Sequence, residues 1–170
     1  DEYDVGKSVY MDILNRAKDY VYIMTPYMIM DGELENSLTF SAERGVDVRI
    51  ILPHISDSFV AQALAKTHYK KLLDAGVKVY EYTPGFVHAK VFVSDDVKSV
   101  VGSINMDYRS LYHHFECATY MYGTRCIEDI KSDYKDTLAK CQQVTYESIK
   151  NDKWYIKLIG KVLKFVAPLI

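Results

Sequence analysis

Between Gly85 and Glu116 the chain gathers the side chains able to handle a phosphate ester. His88, Lys90 and Asp95 stand as H-x-K-x4-D, then Gly102, Ser103 and Asn105 follow as G-S-x-N, and Glu116 closes the run. Val87 to Val93 is apolar and β-branched, as a strand requires. On a strand His88 and Lys90 point to one face, roughly 6–7 Å apart at their Cα atoms. An imidazole beside a fixed cation suits attack on a phosphodiester, because the lysine offsets charge on the phosphoryl oxygens while the imidazole approaches phosphorus. Taken singly, each residue has a plain structural reading, and a lone strand histidine is most often a satisfied structural residue. The joint spacing argues against that reading here.

These groups need a frame, and hydrophobic periodicity supplies one. Val9, Ile13, Ala17 and Tyr20 make a helical stripe over Val9 to Tyr20, followed by a short strand from Val21 to Met24 that Thr25-Pro26 stops. Asp31-Gly32 opens a helix through Leu34, Leu38 and Ala42, ending at Gly45 with Arg44 in its last turn. Val46 to Leu52 is a strand ended by Pro53, and Asp57 or Ser58 caps a helix through Val60, Leu64, Tyr69 and Leu72 to Gly76. Val77 to Tyr82 is a strand, and Pro84-Gly85 turns into the motif strand. Beyond it come a strand from Ser99 to Gly102 and a polar loop with Ser103, Asn105, Asp107 and Arg109. A strand from Phe115 to Tyr122 and one helix from Thr124 to Tyr146, with Cys141 on its apolar face, follow. Helices alternating with nearly continuous apolar strands predict an α/β fold, a three-layer αβα sandwich with a mixed sheet, over residues 1–150.

Residues 151–170 read differently. At 100° per residue, Lys153, Lys157, Lys161 and Lys164 fall within an arc of about 80°, with Ile156, Leu158, Ile159, Val162, Leu163, Phe165 and Val166 on the remainder. Trp154 and Tyr155 stand at the start. This is either a basic amphipathic helix of the interfacial sort or a helix docked on the domain surface.

At 170 residues and 19.6 kDa, the chain is long enough to bury one sizeable core. A formal net charge of −2 gives no global basic field of the kind non-specific nucleic-acid binders carry. Cys117, Cys126 and Cys141 have neither C-x-x-C nor zinc-ligand spacing, which points to a reduced, cytosol-facing domain rather than a disulfide framework. No signal peptide and no membrane-spanning apolar run is legible, and the opening at Asp1 reads as an excised piece of something longer.

The gapless H-x-K-x4-D-x6-G-S-x-N run resembles the signature of the phospholipase D superfamily. Several flanking words are similar to the C-terminal half of the bacterial cardiolipin synthases. They are Thr25-Pro26-Tyr27, the stretch from Arg44 to Pro53, Gly85-Phe86-Val87-His88-Ala89-Lys90, the stretch from Asn105 to Leu111, and the final KLIGKVLKFVAPLI. The resemblance covers essentially the whole chain. In that family two such halves share one polypeptide behind N-terminal membrane segments.

The resemblance implies transfer of a phosphatidyl group between two phosphatidylglycerol molecules through a phosphohistidine, with release of glycerol and no cofactor. No metal is implied either, and H-x-K is a poor ligand pair because the lysine is itself a cation. Carried onto matching positions, His88 is nucleophile or general acid, and Lys90 and Asn105 hold phosphoryl oxygens. Ser103 supplies a hydroxyl, and Glu116 accepts the other imidazole N–H. Asp95, the third letter of the motif, is a catalytic residue or a structural anchor. The implied partners are phosphatidylglycerol, an anionic membrane surface, and the N-terminal half of the same polypeptide or a second copy, with no nucleic acid. The implied location is the cell membrane, with the catalytic domain facing the cytoplasm. The alternatives are a homodimeric single-motif phosphodiesterase or nuclease and a catalytically silent lipid-binding module. Of the other residues, Thr25-Pro26-Tyr27 follows a strand end where lipid would line the site, and His54 stands where the pocket mouth would be. His113 and His114 line the site or lie in solvent, and His68 reads as structural.

Overall fold

A strand that is apolar at successive positions must be buried on both faces, and this requirement organises the molecule. The computed structural model describes residues 4–152, 154–165 and 167–169. In chain order the elements are α1 (Val5–Arg16), β1 (Tyr20–Met24), β2 (Met28–Ile29), α2 (Gly32–Glu43), β3 (Asp47–Pro53), α3 (Phe59–Asp74), β4 (Lys78–Tyr82), β5 (Val91–Ser94) and β6 (Lys98–Gly102). There follow β7 (Met106–Asp107), a π-helical turn (Arg109–His113), β8 (Ala118–Tyr122), α4 (Cys126–Leu138), β9 (Cys141–Gln143), α5 (Tyr146–Asn151), α6 (Trp154–Leu163) and a 3-10 turn (Ala167–Leu169).

The main sheet has seven strands in the order β8-β6-β5-β1-β3-β4-β9. β1, β3 and β4 run parallel, while β5, β6, β8 and β9 each pair antiparallel with their neighbours. The pleat sorts the side chains: Val21, Ile23, Ile50, Val79 and Phe92 face the core under α1, α2 and α3. Tyr20, Tyr22, Met24, Ile51, Val91 and Val93 face the other way, with Ile127 and Tyr134 of α4. Tyr10 of α1 stacks on Phe92 at 3.9 Å between ring centroids. The mixed α/β sandwich is therefore present, and the start of α2 and of α3 is set locally. Asp31 accepts from the Leu34 N–H at 2.8 Å, and Ser58 accepts from the Ala61 N–H at 3.2 Å.

Five expectations change, the first being that the strand expected from Phe115 begins at Ala118. Helix α1 ends at Arg16, and Tyr20 belongs to β1. The motif strand begins at Val91 rather than Val87. The long helix stops at Leu138, after which Cys141 to Gln143 pairs antiparallel with Tyr80 to Tyr82 as an edge strand, its Cys141 facing α4 through the sheet and not along the helix. The tail helix ends at Leu163, and Lys153, Val166 and the Lys157 side chain lie outside the described residues. Helix α6 docks on α3 at Gly160, where an added Cβ would come within 2.5 Å of the Ala63 carbonyl oxygen. Among the described residues no helix is long and apolar enough to cross a membrane.

Asp95 explains how the sheet is tied to α1. It follows β5 with a φ of 53°, and its carboxylate accepts from the backbone N–H groups of Lys18, Asp19 and Tyr20 at 2.9, 3.0 and 2.9 Å. These donors lie where the chain leaves α1 and enters β1. Asp95 thus sits at the opposite end of β5 from His88, and its contacts are those of an anchor rather than of a group touching substrate. Asp95→Ala should destabilise the fold by about 2–3 kcal/mol, the range for lost hydrogen bonds to a charged group, while Asp95→Asn should cost less because Asn tolerates the left-handed backbone and keeps an acceptor. Urea unfolding of the two variants checks this, and equal losses would show that the carboxylate charge, which both variants remove, matters rather than a neutral acceptor or the backbone angle.

Candidate active site

The strand pairings bring separate loops to one end of the sheet. Because β5 is antiparallel to both β1 and β6, Val91 at its start lies beside Met24 at the end of β1 and Val101 near the end of β6. Gly102 in turn lies beside Ala118 at the start of β8. The loops after β1, β3 and β6 and those before β5 and β8 therefore share this edge. Loops beyond the carboxyl ends of parallel strands are where open α/β sheets place ligands.

His88 and Lys90 occupy the segment entering β5. The Lys90 ammonium lies 3.0 Å from Nδ1 and 3.1 Å from Nε2 of His88, and donates to the His88 carbonyl oxygen at 2.7 Å. That foldback explains the late start of β5, since the His88 carbonyl is taken by the lysine and not by a strand. The first ladder bond comes only where the Gly102 N–H reaches the Lys90 carbonyl at 3.3 Å. The imidazole is exposed whereas the lysine is buried. Burial pulls the Lys90 pKa below the usual lysine value, against the opposing charges of Glu116, Asp107 and Asp57. Phe86 lies 5.4 Å from the His88 ring, and Tyr27 meets it edge-on at 6.4 Å and 81°.

Ser103 joins this edge to β8. Its hydroxyl donates to the Glu116 carboxylate and accepts from the Cys117 N–H at 3.0 Å. Glu116 was expected on the imidazole, yet among the described residues its hydrogen bond goes to Ser103 and it acts on Lys90 through charge. Asn105 donates to the Ser110 hydroxyl at 3.1 Å, and its Oδ1 is buried with no partner among the described residues. Gly102 is a glycine because β8 passes so close: a Cβ there would lie 2.3 Å from the Cys117 carbonyl oxygen and 2.4 Å from the Ala118 Cα.

The remaining histidines divide. His113 and His114 are exposed on and just after the π-helical turn and border a cavity of about 370 Å³ together with Glu116 and Gly6. That turn is held by Lys7, which is buried yet kept well above the usual lysine range. Hydrogen bonds to Asp31, Glu33 and Tyr112 overcome the larger single effect of desolvation. His54 sits 2.7 Å from buried Glu81, which also accepts from Tyr69 at 3.1 Å. His68 is buried against Glu35 at 2.7 Å and belongs to the fold. Among the described residues no cluster of three or more His, Cys, Asp or Glu could hold a metal ion. Asp57 and Asp107 were not anticipated as neighbours of Lys90. Their only sequence signal is their place, Asp57 beyond β3 and Asp107 in the polar stretch after Ser103.

The family described as cardiolipin synthase, phospholipase D-like domain, matches residues 10–138. The chain belongs to that family. It is 63% identical over 170 residues to an uncharacterized protein of Streptococcus mutans, covering all of this chain and 37% of that protein. To a cardiolipin synthase of Halalkalibacterium halodurans it is 32% identical over 168 residues, covering 99% of this chain and 33% of the relative. The chain thus spans about a third of the length of these relatives. Its fold is similar to that of Nuc, a phospholipase D family member from Salmonella typhimurium, with a TM-score of 0.71 at 18% identity over 81% of this chain and 90% of that one. Phosphatidylserine synthase of Haemophilus influenzae gives a TM-score of 0.76 at 13% identity, over 95% of this chain and 44% of that one.

Gly102→Ala should lower stability by about 1–3 kcal/mol through overpacking against β8. A urea midpoint equal to wild type would mean that the β8 backbone yields at no cost.

Proposed function

We propose that this chain is a catalytic half of a cardiolipin synthase, the C-terminal one, which transfers a phosphatidyl group from one phosphatidylglycerol to another and releases glycerol. The observation that carries this reading is the exposed His88 imidazole in contact with the buried Lys90 ammonium, at the sheet edge where the site loops meet. A ring nitrogen attacks phosphorus, forming a P–N bond as the P–O bond to glycerol breaks, and the glycerol oxygen takes a proton from an acid. A hydroxyl of the second phosphatidylglycerol then attacks phosphorus, the P–N bond breaks, and the hydroxyl proton returns to the base. One difficult displacement becomes two easier ones. Lys90 is already desolvated, so its charge meets the phosphoryl oxygens with little reorganisation. Ser103 and Asn105 border the phosphate side, and Glu116 adds acceptor capacity there. Whether His88 attacks or protonates depends on which imidazole faces it.

The acid and the nucleophile must lie on opposite sides of phosphorus, and this sequence has one H-x-K-x4-D; its other H-x-K, His68 to Lys70, lies on α3 with His68 buried against Glu35. A second imidazole therefore comes from another half of the same polypeptide or from a second copy. Val101 on β6, Phe115 before β8, and Tyr120 and Tyr122 on β8 are exposed and offer an apolar surface for it. Lipid is favoured over nucleic acid because the chain's −2 charge gives no phosphate-backbone attraction. Trp154, Leu158, Val162 and Phe165 stay exposed on the side of α6 and its continuation away from α3, with Lys161 and Lys164 also exposed. This arrangement fits an anionic bilayer at the cytoplasmic face of the cell membrane.

In the protein carrying this chain, His88→Ala should remove roughly 10³-fold or more of the rate with the circular dichroism unchanged. Wild-type turnover with chemistry rate-limiting would reject the assignment, and a phosphohistidine trapped elsewhere would give His88 the acid role. Placing Glu at Leu158 and Val162 leaves the Gly160 contact untouched and should weaken sedimentation with phosphatidylglycerol vesicles. Apolar insertion is lost there, and each nearby lysine is worth only about 1 kcal/mol. Equal sedimentation of the variant and wild type at moderate salt would assign that face to protein contact.

A further inference from the structure

Asp57 has the geometry of a recognition group that the transfer chemistry above does not use. It lies between β3 and α3, is exposed, and takes the Tyr27 hydroxyl at 2.8 and 2.9 Å on its two oxygens. Tyr27 is itself fixed: its carbonyl accepts from the buried Thr25 hydroxyl at 2.8 Å, and its ring stands edge-on to His88. One phenolic proton shared by two carboxylate oxygens leaves most of about four acceptor positions open. A weaker contact from the Ser56 hydroxyl at 3.4 Å does not close them.

Three carboxylates act on Lys90, and they are not equivalent. Asp107 accepts from the Ser110 N–H at 2.8 Å, and Glu116 accepts from Ser103. Asp57 alone of the three is held by a side chain that also touches the His88 ring. A carboxylate repels phosphoryl oxygens, so beside a phosphate site its use is to bind a donor. A cationic headgroup would meet the Lys90 ammonium in the same neighbourhood. A neutral polyol meets no such repulsion, and its adjacent hydroxyls are donors matched to a carboxylate.

We propose that Tyr27 and Asp57 form the subsite for the glycerol headgroup, in which Asp57 accepts hydrogen bonds from glycerol hydroxyls and Tyr27 positions the carboxylate beside His88. The inference rests on the phosphatidyl-transfer reading and adds to it the basis for choosing a glycerol-headed acceptor over water or a simple alcohol. The hydroxyl that attacks phosphorus is not the one held; its neighbour on the next carbon is.

The test is product partition in the protein carrying this chain, supplied with phosphatidylglycerol vesicles and ethanol. Cardiolipin, phosphatidic acid and phosphatidylethanol are measured together, so that a general loss of rate cancels in their ratios. Asp57→Asn should lower the ratio of cardiolipin to phosphatidic acid by about tenfold or more, the loss expected when a hydrogen bond to a charged group is weakened, and should leave the ratio of phosphatidylethanol to phosphatidic acid unchanged. Tyr27→Phe, which keeps the ring against His88, should shift the first ratio the same way by less. An unchanged cardiolipin ratio, or a parallel fall of both alcohol products, overturns the subsite. So does a defect seen only with an ethanolamine-headed donor, which would assign the pair to a cation. Wild-type protein that forms no cardiolipin overturns the parent reading, whereas a wild type that forms it beside an Asp57→Asn variant with unaltered partition overturns only the subsite.

Discussion

Burial of both faces of the central sheet is the constraint on which the rest of the structure depends. Val21 and Ile23 are enclosed on one side, Tyr22 and Met24 on the other, and no site can open through either face. Chemistry is thereby confined to the sheet's ends. The antiparallel insertion of β5 and β6 beside parallel β1 decides what each end receives. One end collects His88, Lys90, Ser103 and the loops holding Tyr27 and Asp57. The other collects Asp95 and the exit of α1. The four residues of β5 separate a reactive terminus from an anchored one, so a single motif carries both a site and the clamp that keeps its strand in register.

This division accounts for what the sequence could and could not reveal. The cap of α3 was legible as Asp57 or Ser58, and the start of α2 at Asp31-Gly32, because a cap is a contact across three residues. The parallel strands were legible because enclosure on both sides demands runs such as Val48 to Leu52. His88 and Lys90 could be paired by spacing alone, whereas the foldback of Lys90 onto the His88 carbonyl is a side-chain event that no period encodes. β9 was missed because Cys141-Gln142-Gln143 has no apolar alternation and becomes a strand only by pairing with the free edge of β4. The carboxylates that act on Lys90 come from the loop after β3, the end of β7 and the segment before β8, and only the folded chain brings them together.

The electrostatics of the site follow from the same placement. A lysine buried beside an imidazole loses hydration and is drawn toward neutrality, yet the carboxylates around it favour the charged form. The result is a cation kept available for an anionic ligand without a deep well of bound water to displace. The same carboxylates border that cation on more than one side, with Glu116 bound to Ser103 and Asp57 to Tyr27.

Ser103 and Glu116 extend this logic to the molecular surface. Their hydrogen bond, with Ser103 bound to both backbone groups of Cys117, makes the start of β8 part of the site's wall. Gly102 allows that wall to stand so close, since any side chain there would strike it. Among the described residues the sheet has no further strand beyond β8, and Phe115, Tyr120 and Tyr122 are exposed. Glu116 is therefore only partly shielded in this chain alone, and its interaction with Lys90 is weakened by water. Any surface that covered this edge would at once bury the exposed aromatic residues, dry the Glu116–Lys90 neighbourhood and strengthen the pull of Glu116 on the Lys90 charge. Covering this edge and strengthening the charge on Lys90 would in this sense be one physical event, because exposed Phe115 is contiguous with Glu116.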